Sequence, residues 1–118
     1  MDKYKPERVA NSVASELIRK IQDKSARIGV IGLGYVGLPL AVDKAIAGYE
    51  VIGFDIQQKR VDMVNQGVNY IGDVVDDELK EVVRTGKLRA TTDYDEIKNL
   101  DIVTICVPTP LDKNKQPD

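Results

Sequence analysis

Two kinds of segment alternate along the chain: short continuous runs of hydrophobic residues, typical of buried strands, and stretches in which hydrophobic residues recur every three or four positions, typical of helices. Four short apolar runs rich in β-branched residues predict buried strands, at residues 26–31, 50–55, 88–92 and 101–107. The segments between them carry apolar residues three or four positions apart. These predict helices at residues 38–47, 57–66 and 76–85, and a helical turn at 93–99.

A further helix is predicted ahead of the first strand, over residues 7–24. Its apolar residues form one stripe, which consists of Val9, Val13, Leu17 and Ile21 with Ile18 beside them. We expect this stripe to pack onto the domain or onto a second subunit. The polar face is not predominantly basic, which argues against binding of the helix to a membrane surface.

The alternation predicts an α/β fold: a Rossmann-type doubly wound parallel sheet with helices on both faces and right-handed crossovers. The expected strand order is 3-2-1-4. A complete Rossmann sheet has further strands, and the sequence ends soon after the fourth. We therefore expect a leading amphipathic helix at residues 1–25 and a partial dinucleotide-binding domain at 26–118, without catalytic and substrate domains.

The turn after the first predicted strand carries Gly32, Gly34 and Gly37 in the spacing G-x-G-x-x-G. The first glycine permits a tight turn, the second lets a pyrophosphate approach the backbone, and the third lets the helix lie close to the strand. The free N–H groups and the positive end of that helix attract phosphate. Glycine triplets also occur in ordinary turns, but here a strand precedes the motif and a helix follows it, as dinucleotide binding requires.

The second predicted strand ends in Asp55, which lies 23 positions after Gly32 (55 − 32). A carboxylate near this spacing accepts hydrogen bonds from the adenosine ribose hydroxyls. It would repel a 2′-phosphate, so NAD is favoured over NADP. Lys59 and Arg60 follow closely and keep NADP open, because basic side chains can screen a 2′-phosphate. More often, basic residues at these positions belong to a solvated helix face or flank the adenine, so NAD remains the favoured cofactor.

The segment after the fourth strand, Val107-Pro108-Thr109-Pro110, is expected beside the first strand at the carboxyl edge of the sheet, where ligands bind in open α/β sheets. Thr109 offers a hydroxyl there, although the two prolines are also consistent with a rigid exit from the strand. Cys106 precedes this segment at the end of an apolar strand. No base lies near it in sequence, so we expect a buried and inert thiol.

Composition removes several classes of function. The 118 residues contain no histidine and one cysteine, which excludes a His-based triad, an internal disulfide and a multi-cysteine metal site within them. A net charge of −2 argues against nucleic acid as a partner. No apolar run approaches the roughly 20 residues that cross a bilayer, and the first residues lack the apolar core of a signal peptide. We therefore expect a cytoplasmic protein without a membrane partner.

Three stretches resemble the N-terminal part of the UDP-glucose/GDP-mannose dehydrogenase family. They are IGVIGLGYVGLPLAV at 28–42, GYEVIGFDI at 48–56 and ICVPTP at 105–110. The combination of GYVGLP with VPTP is more specific than the glycines alone. The leading helix and the segment YIGDVVDDEL at 70–79 are most similar to the UDP-N-acetylglucosamine 6-dehydrogenases.

This resemblance implies NAD-dependent oxidation of the C6 alcohol of a UDP-sugar to a carboxylate, a reaction of polysaccharide biosynthesis, with a UDP-N-acetylhexosamine as the leading substrate. It also implies a homo-oligomer. The cofactor-binding residues that it implies are Gly32, Gly34, Tyr35 and Val36 at the pyrophosphate turn, Asp55 at the ribose, Arg60 at the adenosine end and Thr109 beside the cofactor.

The catalytic residues of the family have no counterpart here. Its nucleophilic cysteine lies in a Gly-Phe-Gly-Gly-x-Cys segment that these residues lack, so Cys106 does not inherit that role. The family's Ser-Thr-x-Pro-x-Gly segment, catalytic lysine and substrate-holding asparagine are also unmatched. We therefore expect these 118 residues alone to be inactive and to bind at most a dinucleotide. A stand-alone NAD-sensing module and an unrelated Rossmann dehydrogenase are the alternatives.

Overall fold

The computed structural model describes residues 6–107, with side chains from residue 13 onward. The elements in chain order are α1 (Pro6–Gln22), β1 (Arg27–Ile31), α2 (Gly37–Ile46), β2 (Glu50–Phe54), α3 (Gln58–Asn65), α4 (Asp76–Arg84), β3 (Leu88–Thr91), a 3₁₀ helix (Tyr94–Asn99) and β4 (Ile102–Ile105). Every predicted element is confirmed, with ends that agree within two residues. Thr109 lies outside the described residues.

The described strands form one parallel sheet in the order β3-β2-β1-β4, which confirms the predicted order. In its register Ile28 of β1 lies beside Val51 of β2 and beside Ile102 of β4. The carboxyl ends of β1 and β2 are therefore level with each other. This places the turn after β1 next to Asp55, the residue that follows β2.

The main hydrophobic core lies between one face of the sheet and the helices α2, α3 and α4. The strands contribute Ile28, Val30, Val51, Leu88 and Ala90. The helices contribute Leu38, Ala41, Ala45, Val61, Val64, Leu79 and Val82. Each large apolar side chain that is fully buried in this way stabilises the fold by about 1.5–3 kcal/mol.

The opposite face of the sheet is covered by the crossover from β3 to β4. Right-handed connections that step in one direction across a sheet place their helices on one face, and a reversal of direction moves the next connection to the other face. Here the reversal occurs after β3, and the crossover contains the 3₁₀ helix. The ring of Tyr94 in that helix lies 5.5 Å from the ring of Phe54, centroid to centroid.

Strand β4 is much more exposed than the strands in the middle of the sheet. Ile105 lies in the same row as Ile31 and Phe54, on the same face. Phe54 is fully buried, whereas the side chain of Ile105 is 69% exposed. The difference follows from position, because β4 is the edge strand of the described sheet and the 3₁₀ crossover covers the strands on its other side.

Helix α1 contacts the domain through its last turn. Lys20 Nζ lies 3.0 Å from Asp101 Oδ1, and the hydroxyl of Tyr49 donates to the carbonyl oxygen of Ile21 at 2.7 Å. The predicted stripe is not covered along its length, since Val13 is 65% and Ile18 53% exposed. Val9 lies outside the residues whose side chains are described. Among helices of residues 6–107, none has the length and apolar character needed to span a membrane.

Candidate dinucleotide-binding site

The glycine-rich turn closes tightly between β1 and α2. Gly32 has a φ of +95°, a conformation that residues with a Cβ rarely adopt. Its N–H donates to the carbonyl oxygen of Phe54 at 2.7 Å, which ties the turn to β2. A Cβ on Gly37 would stand 1.6 Å from the carbonyl oxygen of Gly32. Only glycine therefore allows α2 to begin this close to the end of β1.

The outer side of the turn is open. A Cβ on Gly34 would meet only one group within 4 Å, the Arg60 guanidinium at 3.8 Å. The side chains of Tyr35 and Val36 are 82% and 66% exposed. Helix α2 begins directly after them and carries the positive end of its dipole at this turn. A ligand phosphate can therefore approach the backbone N–H groups here without displacing a side chain of the turn.

Asp55 is buried next to the turn, with 5% of its surface exposed. Its Oδ2 accepts a hydrogen bond from the backbone N–H of Leu33 at 3.0 Å, and its Oδ1 accepts one from the N–H of Gln57 at 2.8 Å. The carboxylate thus links the glycine turn to the loop after β2. Oδ2 also accepts a long hydrogen bond from Arg60 Nη1 at 3.4 Å, whereas Oδ1 keeps the capacity to accept from a further donor such as a ribose hydroxyl.

The Arg60 side chain extends from α3 over Asp55. Its Nη1 lies 3.4 Å from Asp55 Oδ2, and the same nitrogen is the one nearest to Gly34. The guanidinium therefore lies between the carboxylate and the open side of the turn. Lys59, by contrast, is exposed and lies in the first turn of α3. The structure brings Arg60 into the candidate site and leaves Lys59 on the solvated surface of the helix.

Tyr70 belongs to this site although the sequence analysis did not select it. Its hydroxyl donates to the carbonyl oxygen of Leu33 at 2.7 Å, and its ring centroid lies 5.9 Å from the Arg60 guanidinium carbon. Burial raises the pKa of Tyr70 to about 12, and the charge of Arg60 opposes part of that rise. The segment YIGDVVDDEL marks Tyr70 as part of the family resemblance but assigns it no role, because its contact with Leu33 joins residues that are 37 positions apart in sequence.

A groove of about 450 Å³ connects the turn to the end of β4. It is lined by Gly34, Tyr35, Val36, Arg60, Ile105, Cys106 and Val107. The expectation that Cys106 is buried is confirmed only in part: its side chain packs against the main core, but it is partly exposed and lines this groove. The physical reason is that Cys106 follows the edge strand, whose outer side is uncovered in residues 6–107.

The end of β4 lies against the glycine turn, as the predicted strand order requires. The N–H of Cys106 donates to the carbonyl oxygen of Ile31 at 2.7 Å. A Cβ on Gly32 would stand 3.1 Å from the backbone carbonyl of Cys106. The chain therefore leaves β4 beside the turn. Within residues 6–107 no group of three His, Cys, Asp or Glu side chains is arranged to hold a metal ion.

Comparison with known proteins assigns the fold and the site to a family. The model of the UDP-glucose/GDP-mannose dehydrogenase family, NAD binding domain, matches residues 26–118. The chain belongs to this family. Its cofactor is therefore NAD, and the open glycine turn beside a buried carboxylate fits that molecule. When bound, NAD supplies the two-electron oxidant for a dehydrogenase.

Individual relatives agree with this family. The chain is 44% identical over 86 residues to UDP-N-acetyl-D-mannosamine dehydrogenase of Pyrococcus horikoshii, which covers 72% of the chain and 21% of the relative. It is 40% identical over 95 residues to UDP-N-acetyl-D-glucosamine 6-dehydrogenase of Pseudomonas aeruginosa, and this match covers 80% of the chain and 22% of the relative. The ternary-complex structure of a GDP-mannose dehydrogenase from Pseudomonas aeruginosa superposes with a TM-score of 0.72 at 37% identity. This match covers 78% of the chain and 22% of the solved protein. The chain thus spans about a fifth of the length of these dehydrogenases.

Proposed function

We propose that this chain forms the NAD site of a nucleotide-sugar 6-dehydrogenase that oxidises the C6 alcohol of a UDP-sugar to a carboxylate. The observation that carries the proposal is the pairing of the closed glycine turn with Asp55, whose carboxylate holds the N–H of Leu33 at 3.0 Å. Conversion of an alcohol to a carboxylate removes four electrons. Each NAD accepts two of them, so the reaction consumes two NAD per sugar.

The glycine turn binds the pyrophosphate in this proposal. Gly32 sets the sharp turn, and Gly34 leaves the space through which a phosphate reaches the backbone. Tyr35 and Val36 contribute N–H groups at the positive end of α2. Their exposed side chains leave that backbone accessible.

Asp55, Arg60 and Thr109 complete the proposed cofactor site. Asp55 accepts hydrogen bonds from the adenosine ribose hydroxyls, and its negative charge excludes the 2′-phosphate of NADP. Arg60, which lies 3.4 Å from that carboxylate, contacts the adenosine end. Thr109 lies beside the cofactor in the segment that follows β4; this assignment rests on the family resemblance of the VPTP motif.

The proposed substrate is a UDP-N-acetylhexosamine, with UDP-N-acetylglucosamine first. Two relatives that match more than two thirds of the chain are named for UDP-N-acetylhexosamines, and the structural neighbour is named for GDP-mannose. All three matches cover the cofactor-binding part. The compared region therefore does not distinguish between these sugars.

Catalysis also depends on groups outside residues 1–118 in this proposal. The leading helix at 1–25 and the NAD-binding part at 26–118 contain no segment that matches the nucleophilic cysteine motif of the family. Cys106, the single cysteine, follows β4 and lines the cofactor groove. We propose that these residues alone bind NAD at most and do not oxidise a sugar.

The test is a substrate panel with the intact dehydrogenase of which residues 1–118 form the cofactor-binding part in this proposal. Purified protein is mixed with NAD and, separately, with UDP-N-acetylglucosamine, UDP-N-acetylmannosamine, UDP-glucose and GDP-mannose, and NADH is followed by absorbance. We expect two NADH per molecule of a UDP-N-acetylhexosamine and little activity with NADP. Absence of NADH with every nucleotide sugar would refute the proposal. Activity on a non-nucleotide alcohol would favour an unrelated dehydrogenase.

A further inference from the structure

The loop between α3 and α4 holds Tyr70 firmly against the glycine turn. The Asn69 amide donates to the carbonyl oxygen of Val74 at 2.6 Å and to Asp76 Oδ1 at 2.8 Å, and its oxygen accepts the N–H of Ile71 at 2.8 Å. Ile71 and Val74 are buried in the main core. Tyr70 lies between these fixed points, so its side chain has little freedom to leave Leu33.

The peptide units on both sides of Leu33 are held from outside the turn. The N–H of Leu33 donates to Asp55, and its carbonyl oxygen accepts from the Tyr70 hydroxyl at 2.7 Å. The described residues contain no cis peptide bond. In a trans peptide the carbonyl oxygen of Leu33 and the N–H of Gly34 point in opposite directions. A hydrogen bond that fixes the first therefore fixes the second.

The Tyr70 ring acts on a second group of the same site. The Arg60 guanidinium carbon lies 5.9 Å from the ring centroid, within the range of a cation–π contact. Arg60 also contacts Asp55 and stands beside Gly34. One aromatic residue thus contacts the glycine turn through its hydroxyl and the basic residue over that turn through its ring.

We propose that Tyr70 is a positioning residue for the cofactor: its hydroxyl presets the orientation of the Gly34 N–H for the dinucleotide pyrophosphate, and its ring supports Arg60 over Asp55. This inference rests on the proposed function of the site. Asp55 and Arg60 are the charged groups that act on Tyr70. Its hydroxyl is a donor throughout the neutral range, as any tyrosine hydroxyl is, and burial raises its pKa further, to about 12.

The test compares Tyr70→Phe with Tyr49→Phe in the intact dehydrogenase that contains residues 1–118. Both substitutions keep the ring and remove a hydroxyl that donates to a backbone carbonyl at 2.7 Å, but the bond of Tyr49 goes to Ile21, at the attachment of α1. We expect Tyr70→Phe to raise the Kd for NADH and the KM for NAD about three- to tenfold, the range set by one neutral hydrogen bond. Its kcat at saturating NAD and the KM for the sugar should stay unchanged. Tyr49→Phe should bind NADH like the parent.

A purely structural role would give a different result. Loss of folded protein lowers kcat in proportion to the inactive fraction and leaves the Kd and KM where they were. Equal NADH affinity in the parent and in a folded Tyr70→Phe protein would overturn the inference alone. If the parent itself binds no NADH, both the inference and the proposed function fail.

A second replacement keeps the inference testable if Tyr70→Phe does not fold. Difluorotyrosine at position 70 retains the ring and the hydroxyl, but its hydroxyl ionises at a lower pH. We expect this protein to bind NADH like the parent at neutral pH and to lose affinity at a lower alkaline pH than the parent does. Identical pH profiles of NADH affinity would overturn the inference.

Discussion

Gly37 lies directly against the carbonyl oxygen of Gly32, so close that a Cβ on Gly37 would stand 1.6 Å from that oxygen. The two residues join the end of β1 to the first turn of α2. The contact involves backbone atoms on one side, and backbone cannot rotate away as a side chain can. The separation of the strand from the helix, and with it the shape of the phosphate-binding turn, therefore depends on the absence of one methyl group.

We expect Gly37→Ala to destabilise the full chain by about 3 kcal/mol or more, since overpacking against backbone forces the helix away from the strand. Thermal melting measures this change. Gly72→Ala is the matched control, because a Cβ there has no neighbour within 4 Å. If the two variants melt at the same temperature, the contact between Gly37 and the carbonyl oxygen of Gly32 is contradicted.

Replacement of Asp55 by asparagine should weaken NADH binding at least about tenfold, because hydrogen bonds to a charged acceptor contribute about 1.5–3 kcal/mol. The two carboxylate oxygens accept one backbone N–H each, from Leu33 and from Gln57. Asparagine has a single acceptor oxygen and can keep only one of these hydrogen bonds. The preference for NADH over NADPH should fall as the negative charge is lost. Fluorescence titration with both cofactors measures the two constants.

Asp62→Asn is the control for this change. Asp62 lies on α3, is exposed, and accepts a hydrogen bond from the Gln58 amide at 2.8 Å. Its loss should leave both cofactor affinities unchanged. If Asp55→Asn and Asp62→Asn bind NADH equally well, Asp55 is not the ribose-binding residue.

Arg60→Ala should lower NADH affinity and make that affinity less sensitive to salt, because a positive charge near the phosphates is lost. Arg60→Lys should recover only part of the affinity, since lysine keeps the charge but lacks the planar group that lies over the Tyr70 ring. The measurement is the Kd for NADH at low and high salt. Lys59→Ala removes the neighbouring exposed charge as a control, and an equal effect there would show that only general charge matters.

Asp101 should make stability depend on acid pH through its contacts with α1 and β1. The N–H of Arg27 donates to Oδ2 at 2.8 Å and Lys20 lies 3.0 Å from Oδ1, and these contacts hold the pKa of Asp101 below its ordinary value. A depressed pKa adds stability above the unfolded pKa of about 3.9, and that stability is lost as pH falls through the folded pKa. The melting difference between the parent and Asp101→Asn should therefore be largest near neutral pH and shrink below about pH 4.

Asp43→Asn serves as the comparison for this pH series. Its side chain is 74% exposed and lies 3.9 Å from Lys44, so the pair is weak. We expect a small melting difference at every pH. A melting difference for Asp101→Asn that is independent of pH would mean that its charge does not stabilise the fold.

The local signals of the chain predicted nearly all of its secondary structure and the centre of the site. The glycine spacing and Asp55 were found because each depends on a few neighbouring residues and on one strand end. Tyr70 was missed, since its bond to Leu33 forms only when the loop after α3 returns to the turn. Cys106 was predicted to be buried and is only partly so, because its strand lies at the edge of the described sheet, a position that the predicted order already implied.

The sequence by itself determined the strand and helix periods and the glycine turn with its acidic partner, because these follow from side-chain spacing and from conformations that glycine alone tolerates. The parallel sheet order followed from the fold that this turn and the alternation of strands and helices indicate. The tertiary structure decided which distant groups meet. Arg60 lies over the turn and Lys59 does not, and Lys20 reaches Asp101 across 81 positions of sequence. Such contacts depend on the face of the sheet over which each crossover packs and on how closely the packed elements approach each other. Neither property can be read from a short stretch of residues.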